Sequence, residues 1–158
     1  MLVRAGACRE RLDFTTEWKF ALNLDLDFSA PEADDSDWRK LTLPHDWSIE
    51  GEFDKDNPAS PGGGVLPGGW HRKTFVIPDS DRGKRIFIDF RWQFTQRVRC
   101  GSTEYMLGYR PNGYVSFRYD LIPYLNYGAE SNVLAIKVNN SEQPNSRWYS
   151  GAGIYRNW

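Results

Sequence analysis

Apolar residues recur along this chain in short runs with a period of two, the spacing that puts alternate side chains on opposite faces of an extended strand. In Arg85-Ile86-Phe87-Ile88-Asp89-Phe90, the apolar Ile86, Ile88 and Phe90 share one face while Arg85 and Asp89 share the other. One face is predicted to be core and the other wet or half-buried. Residues 18–22, 38–43, 70–77, 114–118 and 132–138 are further runs rich in β-branched and aromatic residues, each bounded by Gly, Pro, Asp or Asn. Each is predicted to be a strand. No window of a dozen residues keeps an i, i+3, i+4, i+7 apolar pattern without an intervening Pro or Gly. At most one helical turn is expected, at 121–125, capped by Asp120.

Three loops separate these runs: an acidic stretch at 25–37, a long segment at 44–69, and residues 139–153. Structureless loops beyond about 12–15 residues are usually functional or disordered. The segment at 44–69 is rich in Pro and Gly, yet it carries Trp47, Ile49, Phe53 and Leu66. Those apolar anchors predict that it packs on the domain.

Composition sharpens the class. Among 158 residues there are 7 Trp, 8 Tyr and 9 Phe, interspersed with 14 Gly and 9 Pro, which reads as an all-β chain with long turns. A (β/α)₈ barrel of about 250 residues does not fit. With 20 Lys+Arg against 21 Asp+Glu, no basic footprint for a phosphate backbone is present, so no nucleic-acid partner is expected. No apolar run approaches the roughly 20 residues that span a bilayer, so no membrane partner is expected. No signal-like segment follows Met1, and the compartment stays open. Cys8 and Cys100 supply neither a disulfide framework nor zinc-ligand spacing.

The candidate chemistry is sparse. Asp34 with Asp35, or Asp54 with Asp56, offers carboxylate pairs, but sequence neighbours in such loops are turn residues more often than acid/base partners. His45 and His71 are the only histidines, and no nucleophile-elbow pattern surrounds a serine. His45 is expected to be a hydrogen-bonded loop residue. Pro61-Gly62-Gly63-Gly64 lacks the Lys-Ser/Thr and the helix of a phosphate loop. Asp25, Asp27, Asp34, Asp35 and Asp37 lack the ordered ligands of a known calcium cage, and a solvated acidic turn is the preferred reading. No catalytic residue, metal or cofactor is assigned. Aromatic residues on loops remain, namely Trp47, Trp70, Trp148, Tyr149 and Tyr155, with Asp46, Asn145, Arg147 and Arg156 nearby. Flat aromatic platforms ringed by polar groups suit either a carbohydrate or a partner domain.

These residues also carry a resemblance. Trp18-Lys19-Phe20, the run from Ala33 through Leu43-Pro44-His45-Asp46-Trp47, Trp70-His71-Arg72-Lys73-Thr74-Phe75, Arg110-Pro111-Asn112-Gly113-Tyr114 and Arg147-Trp148-Tyr149-Ser150-Gly151-Ala152-Gly153-Ile154-Tyr155-Arg156-Asn157 resemble the amino-terminal sugar-binding domain of bacterial β-galactosidases of glycoside hydrolase family 2. The likeness runs in order over about residues 10–158. It implies a jelly-roll β-sandwich of the galactose-binding-domain type, and a single domain over 1–158. It further implies a non-catalytic module that packs on a catalytic (β/α)₈ barrel, alongside immunoglobulin-like domains, and helps to shape a galactoside subsite. The family's catalytic glutamates lie in that later barrel. The rim positions implied by the resemblance are His45, Asp46 and Trp47, the Gly-rich loop, and Asn145, Ser146, Arg147 and Trp148. The alternative is a stand-alone carbohydrate-binding module.

One stretch departs from the pattern. Between Phe90 and Leu107 the family has Asp-Gly followed by Ser-Glu-Val-Trp-Ile-Asn-Gly, which this chain lacks. Allowed codons for residues 97–104, read from their third bases, spell the family's Ser-Glu-Val-Trp-Ile-Asn-Gly. A locally frame-shifted segment is therefore expected. It places Arg97 and Arg99 on one strand face and Val98 on the other, so low stability is expected across 91–107.

Overall fold

The computed structural model describes residues 2–5, 9–22, 25–50, 68–90, 100–102, 105–108, 115–139 and 152–154. The strands, in chain order, are β1 (Leu2–Ala5), β2 (Arg9–Leu12), β3 (Trp18–Ala21), β4 (Arg39–Leu41), β5 (His45–Asp46), β6 (Gly68–Val76), β7 (Arg85–Phe90), β8 (Cys100–Ser102), β9 (Phe117–Asp120), β10 (Ser131–Asn139) and β11 (Gly153–Ile154). Three single 3₁₀ turns, at Trp47–Ile49, Asp79–Asp81 and Ile122–Tyr124, are the helical elements among the described residues.

Two antiparallel sheets face each other, one ordered β2-β1-β7-β9 and the other β4-β3-β6-β10-β8, with β5 and β11 paired beside them. From β6 to β10, successive strands alternate between the two sheets. That alternation is the jelly-roll arrangement, and an all-β sandwich is what the sequence predicts. The core lies between the sheets. Trp18 and Phe20 from β3 and Leu134, Ile136 and Val138 from β10 meet Ile86, Ile88 and Phe90 from β7 and Tyr119 from β9. Strand β7 has the expected bounds, with Ile86 and Ile88 fully buried and Arg85 exposed, but Asp89, expected on the wet or half-buried face with Arg85, is buried against Arg118. Strand β10 lies between β6 and β8, so both of its edges are paired, and Val133 to Ile136 are all buried.

A third layer covers the outer face of the five-stranded sheet. Trp70 and Arg72 alternate with the inward His71 on β6, and residues 25–38 fold over them. Phe28 meets Trp38 edge-on at 4.9 Å and Trp70 at 6.1 Å. The Lys137 ammonium lies 5.2 Å from the Trp70 ring centroid. Arg72 is buried, and its guanidinium donates to the carbonyls of Phe28, Ala30, Pro31 and Ala33 and to the Asp35 carboxylate. Asp35 also pairs with Lys19 at 2.5 Å. The expectation of a solvated acidic turn is corrected at this one position. Asp25, Asp27, Asp34 and Asp37 are exposed, but Asp35 is drawn inward by a buried cation that fills the ring of carbonyls.

Other differences have local reasons. The strand expected at 114–118 occupies Phe117–Asp120, because its register follows β7: Phe87 opposes Asp120 and Phe90 opposes Phe117. Asp120 does accept from the Ile122 amide at 3.0 Å, but Leu121 is the cap position. Strands β1 and β2 form a hairpin that alternation missed, because Arg-Glu-Arg-Leu carries no β-rich signal. In the 44–69 segment Trp47 is buried, whereas Ile49 is 65% exposed and anchors nothing here. Phe53 and Leu66 lie outside the described residues. Of the segment expected to be frame-shifted, 91–99 and 103–104 lie outside the described residues. Cys100–Ser102 forms the edge strand beside β10, and Leu107 packs against the core.

Candidate functional site

The turn following Leu43 holds the described part of the expected sugar rim. The Leu43–Pro44 peptide is cis, and His45 and Asp46 form β5, paired with β11 as Asp46 to Gly153 and His45 to Ile154. Asp46 caps the 3₁₀ turn that follows: Oδ1 accepts from the Ser48 amide at 3.0 Å and the Ser48 hydroxyl at 2.5 Å, the local geometry an Asx cap produces. The same oxygen accepts from the Ala152 amide at 2.9 Å, and the Trp47 amide donates to the Ala152 carbonyl at 3.0 Å. One carboxylate thus clamps residues 106 positions apart. Gly153 permits the approach: its φ is +136°, and a Cβ there would sit 2.2 Å from the His45 carbonyl oxygen.

The predicted rim residues divide accordingly. His45 and Trp47 are buried, at 7% and 1% exposure, so neither presents a flat face to a ligand in this domain. Trp47 stacks on Phe20 with centroids 5.4 Å apart, and Trp70, on β6 rather than a loop, is fully buried. Asp46 is half-buried and committed to the clamp. Asn145, Ser146, Arg147 and Trp148, with Tyr149, Tyr155 and Arg156, lie outside the described residues.

Sequence reading missed the polar cluster behind this turn. His45 Nδ1 lies 3.1 Å from Nε2 of the wholly buried His71, and His45 Nε2 lies 2.7 Å from the Arg39 guanidinium and 3.3 Å from Glu50. Arg39 and Glu50 pair at 2.6 Å, both about half exposed. His45 is thus hydrogen-bonded, as expected, through partners that no local pattern links. Burial lowers the His45 pKa against the opposing pull of Glu50, and burial pushes that of His71 well down. Both rings are neutral at neutral pH. Burial opposes ionisation of Glu50, but its pKa is lowered, with the hydrogen bond from the Arg39 guanidinium the largest opposing cause.

The deeply placed acids are taken up by cations: Asp35 by Lys19 and Arg72, Asp81 by Lys84 at 2.7 Å, and Asp89 by Arg118. Asp89 and Arg118 also line a groove of about 330 Å³ with Phe90, Ser116 and Phe117. No group of three or more potential metal ligands occurs among the described residues, and none of the described helices is long and apolar enough to cross a membrane.

Two facing antiparallel sheets, with a clamp that joins a turn to a distant strand, place the chain in the class of jelly-roll β-sandwich domains. The comparisons specify which. The chain is 51% identical to the β-galactosidase BoGH2A of Bacteroides ovatus over 96% of its own length, and spans 19% of that protein. A β-glycosidase structure from Bacteroides vulgatus superposes with a TM-score of 0.85 at 40% identity, over 92% of this chain and 19% of that one. A glycosyl hydrolase family 2 member from Bacteroides cellulosilyticus gives 0.84 at 33% identity, with the same coverage. The chain belongs to glycoside hydrolase family 2, as an N-terminal domain of these enzymes, and spans about a fifth of the length of the relatives it matches. No protein-family model matches it.

Proposed function

We propose that residues 1–158 form a single non-catalytic domain of a β-galactosidase-type enzyme, one that packs on a catalytic barrel and shapes its sugar subsite. The observation that carries this reading is the 51% identity across 96% of the chain against only 19% of the relative: the likeness is dense, yet confined to one part of a much longer enzyme. The ion-paired acids support a non-catalytic role, since a carboxylate neutralised by a fixed cation is a poor proton donor. The rim is formed by the His45-Asp46-Trp47 turn together with Asn145, Ser146, Arg147 and Trp148. In this reading His45 and Trp47 support the turn from beneath, and direct sugar contacts fall to the later residues.

The test compares the complete enzyme with a form lacking residues 1–158, using β-galactoside and β-glucuronide substrates. The expected result is hydrolysis of the galactoside by the complete enzyme and loss of activity, or a raised KM, without the domain. A shortened enzyme with unchanged kcat and KM would overturn the proposal. Titrating the 158-residue chain with galactose and lactose by NMR separates the rival reading. Saturable binding by the isolated chain would favour a self-sufficient carbohydrate-binding module.

A further inference from the structure

The buried histidine pair carries a constraint on where its protons sit. A neutral imidazole has one N–H and one lone pair, and a guanidinium only donates. Arg39 Nη2 lies 2.7 Å from His45 Nε2, so that nitrogen must offer its lone pair; an N–H there would point at another N–H. The His45 proton then sits on Nδ1 and is donated across 3.1 Å to His71 Nε2. His71 in turn carries its own proton on Nδ1, a fully buried atom with no hydrogen-bond partner among the described residues.

The reverse arrangement is also available. With His45 protonated on Nε2 it would donate to Glu50 Oε1, now at 3.3 Å, accept at Nδ1 from His71, and leave only a lone pair in the core. Burying an orphan donor costs more than burying an orphan lone pair on an imidazole, because a buried N–H is rarely left unmade. The shorter contact to Arg39 therefore holds the pair in the less comfortable of its two forms. Around the rings stand Arg39 from β4, Glu50 from the 3₁₀ turn, Asp46 from β5, and the aromatic faces of Phe20 and Trp47.

We propose that Arg39 is the surface handle of a two-ring proton relay: engaged with His45 it keeps both histidines in the Nδ1–H form, and its withdrawal releases both to the Nε2–H form. In the conversion His45 passes its Nδ1 proton to His71 Nε2 and takes one from water at Nε2. His71 loses its Nδ1 proton to water during local opening, so the pair gains no net charge. The hydrogen-bond state of an exposed guanidinium is thereby transmitted to a ring in the core, directly behind the strand that bears the Asp46 clamp.

Histidine-selective ¹⁵N labelling of the 158-residue chain tests this. Proton–nitrogen correlations at about pH 7.5, above the ordinary histidine range, report which ring nitrogen holds each proton. The wild type is expected to show Nδ1–H on both rings. Arg39→Met should switch both to Nε2–H and slow amide exchange in β5 by about tenfold, as an unmade buried donor disappears. Glu50→Ala should leave the wild-type forms in place. An Nε2–H on His71 in the wild type, or Nδ1–H persisting on both rings in Arg39→Met, overturns the relay. Arg39→Ala serves as the second variant should the methionine form not fold, and the wild-type spectrum decides the resting form by itself.

Discussion

Adjacent residues on β6, Arg72 and His71, are buried on opposite faces of the same strand by opposite means. Arg72 points outward, and residues 28–35 wrap it until its donors meet four carbonyls and a carboxylate. His71 points into the sandwich among Phe20, Trp47 and His45, where one ring nitrogen is bonded and the other has no partner among the described residues. A permanent charge cannot be discarded by titration and must be satisfied by geometry, so the chain devotes a loop to it. An imidazole can shed its proton, so it tolerates an incomplete shell by remaining neutral. The first arrangement fixes a loop, whereas the second leaves a degree of freedom.

The largest expected effect breaks the satisfied side. Arg72→Met retains the stem but strands a ring of inward carbonyls and the Asp35 carboxylate, and should cost about 3–5 kcal/mol, the range for removing one partner of a buried ion pair. Urea denaturation measures this, and a loss below 1 kcal/mol would show that water substitutes for the guanidinium. Next comes Gly153→Ala, which sets a Cβ 2.2 Å from the His45 carbonyl in a left-handed conformation. A cost of about 2–3 kcal/mol is expected from backbone strain and lost β5–β11 pairing, with the Ala152 amide becoming fast-exchanging.

The pH dependence separates the two faces. The folded pKa values of His45 and His71 lie below the ordinary 6.5, so as the pH falls below that value the unfolded chain binds protons that the folded chain refuses, and stability declines. Asp35 has a folded pKa below 3.8, because Lys19 and Arg72 outweigh the burial that opposes its ionisation. Its contribution is complete above that value and is lost as the pH falls through the folded pKa. Two acid losses are therefore expected in denaturation midpoints, the histidine one first. His71→Phe enlarges a fully buried ring and unmakes the hydrogen bond to His45, and should cost about 1–3 kcal/mol at neutral pH while flattening the first loss. A His71→Phe profile as steep as the wild type's would assign that loss elsewhere. Limited proteolysis addresses separately the low stability expected across 91–107: cleavage concentrated there supports it, and resistance there counts against it.

Alternation was enough for β7 because each of its side chains answers to one face, and Ile86, Ile88 and Phe90 have one place to go. It failed for β9 and for the hairpin of β1 and β2, whose extents follow their hydrogen-bonded neighbours. The motif Leu43-Pro44-His45-Asp46-Trp47 marked a turn, but it could not tell a sugar-facing tryptophan from one packed beneath the turn. Nor does anything local connect Arg39 with Glu50, or Asp46 with Ala152, since these pairs exist only once β4, β5 and β11 converge.

By itself the sequence determined the all-β class, the principal strands and the family, because period-two alternation and ordered motifs are properties of neighbouring residues. The tertiary structure alone decided that Arg72 would be enclosed by an acidic loop, that Asp46 would clamp Ala152, and that His71 would lie neutral behind His45. Burial, partner and protonation state depend on distances between residues remote in the chain, and those are set only when the two sheets close.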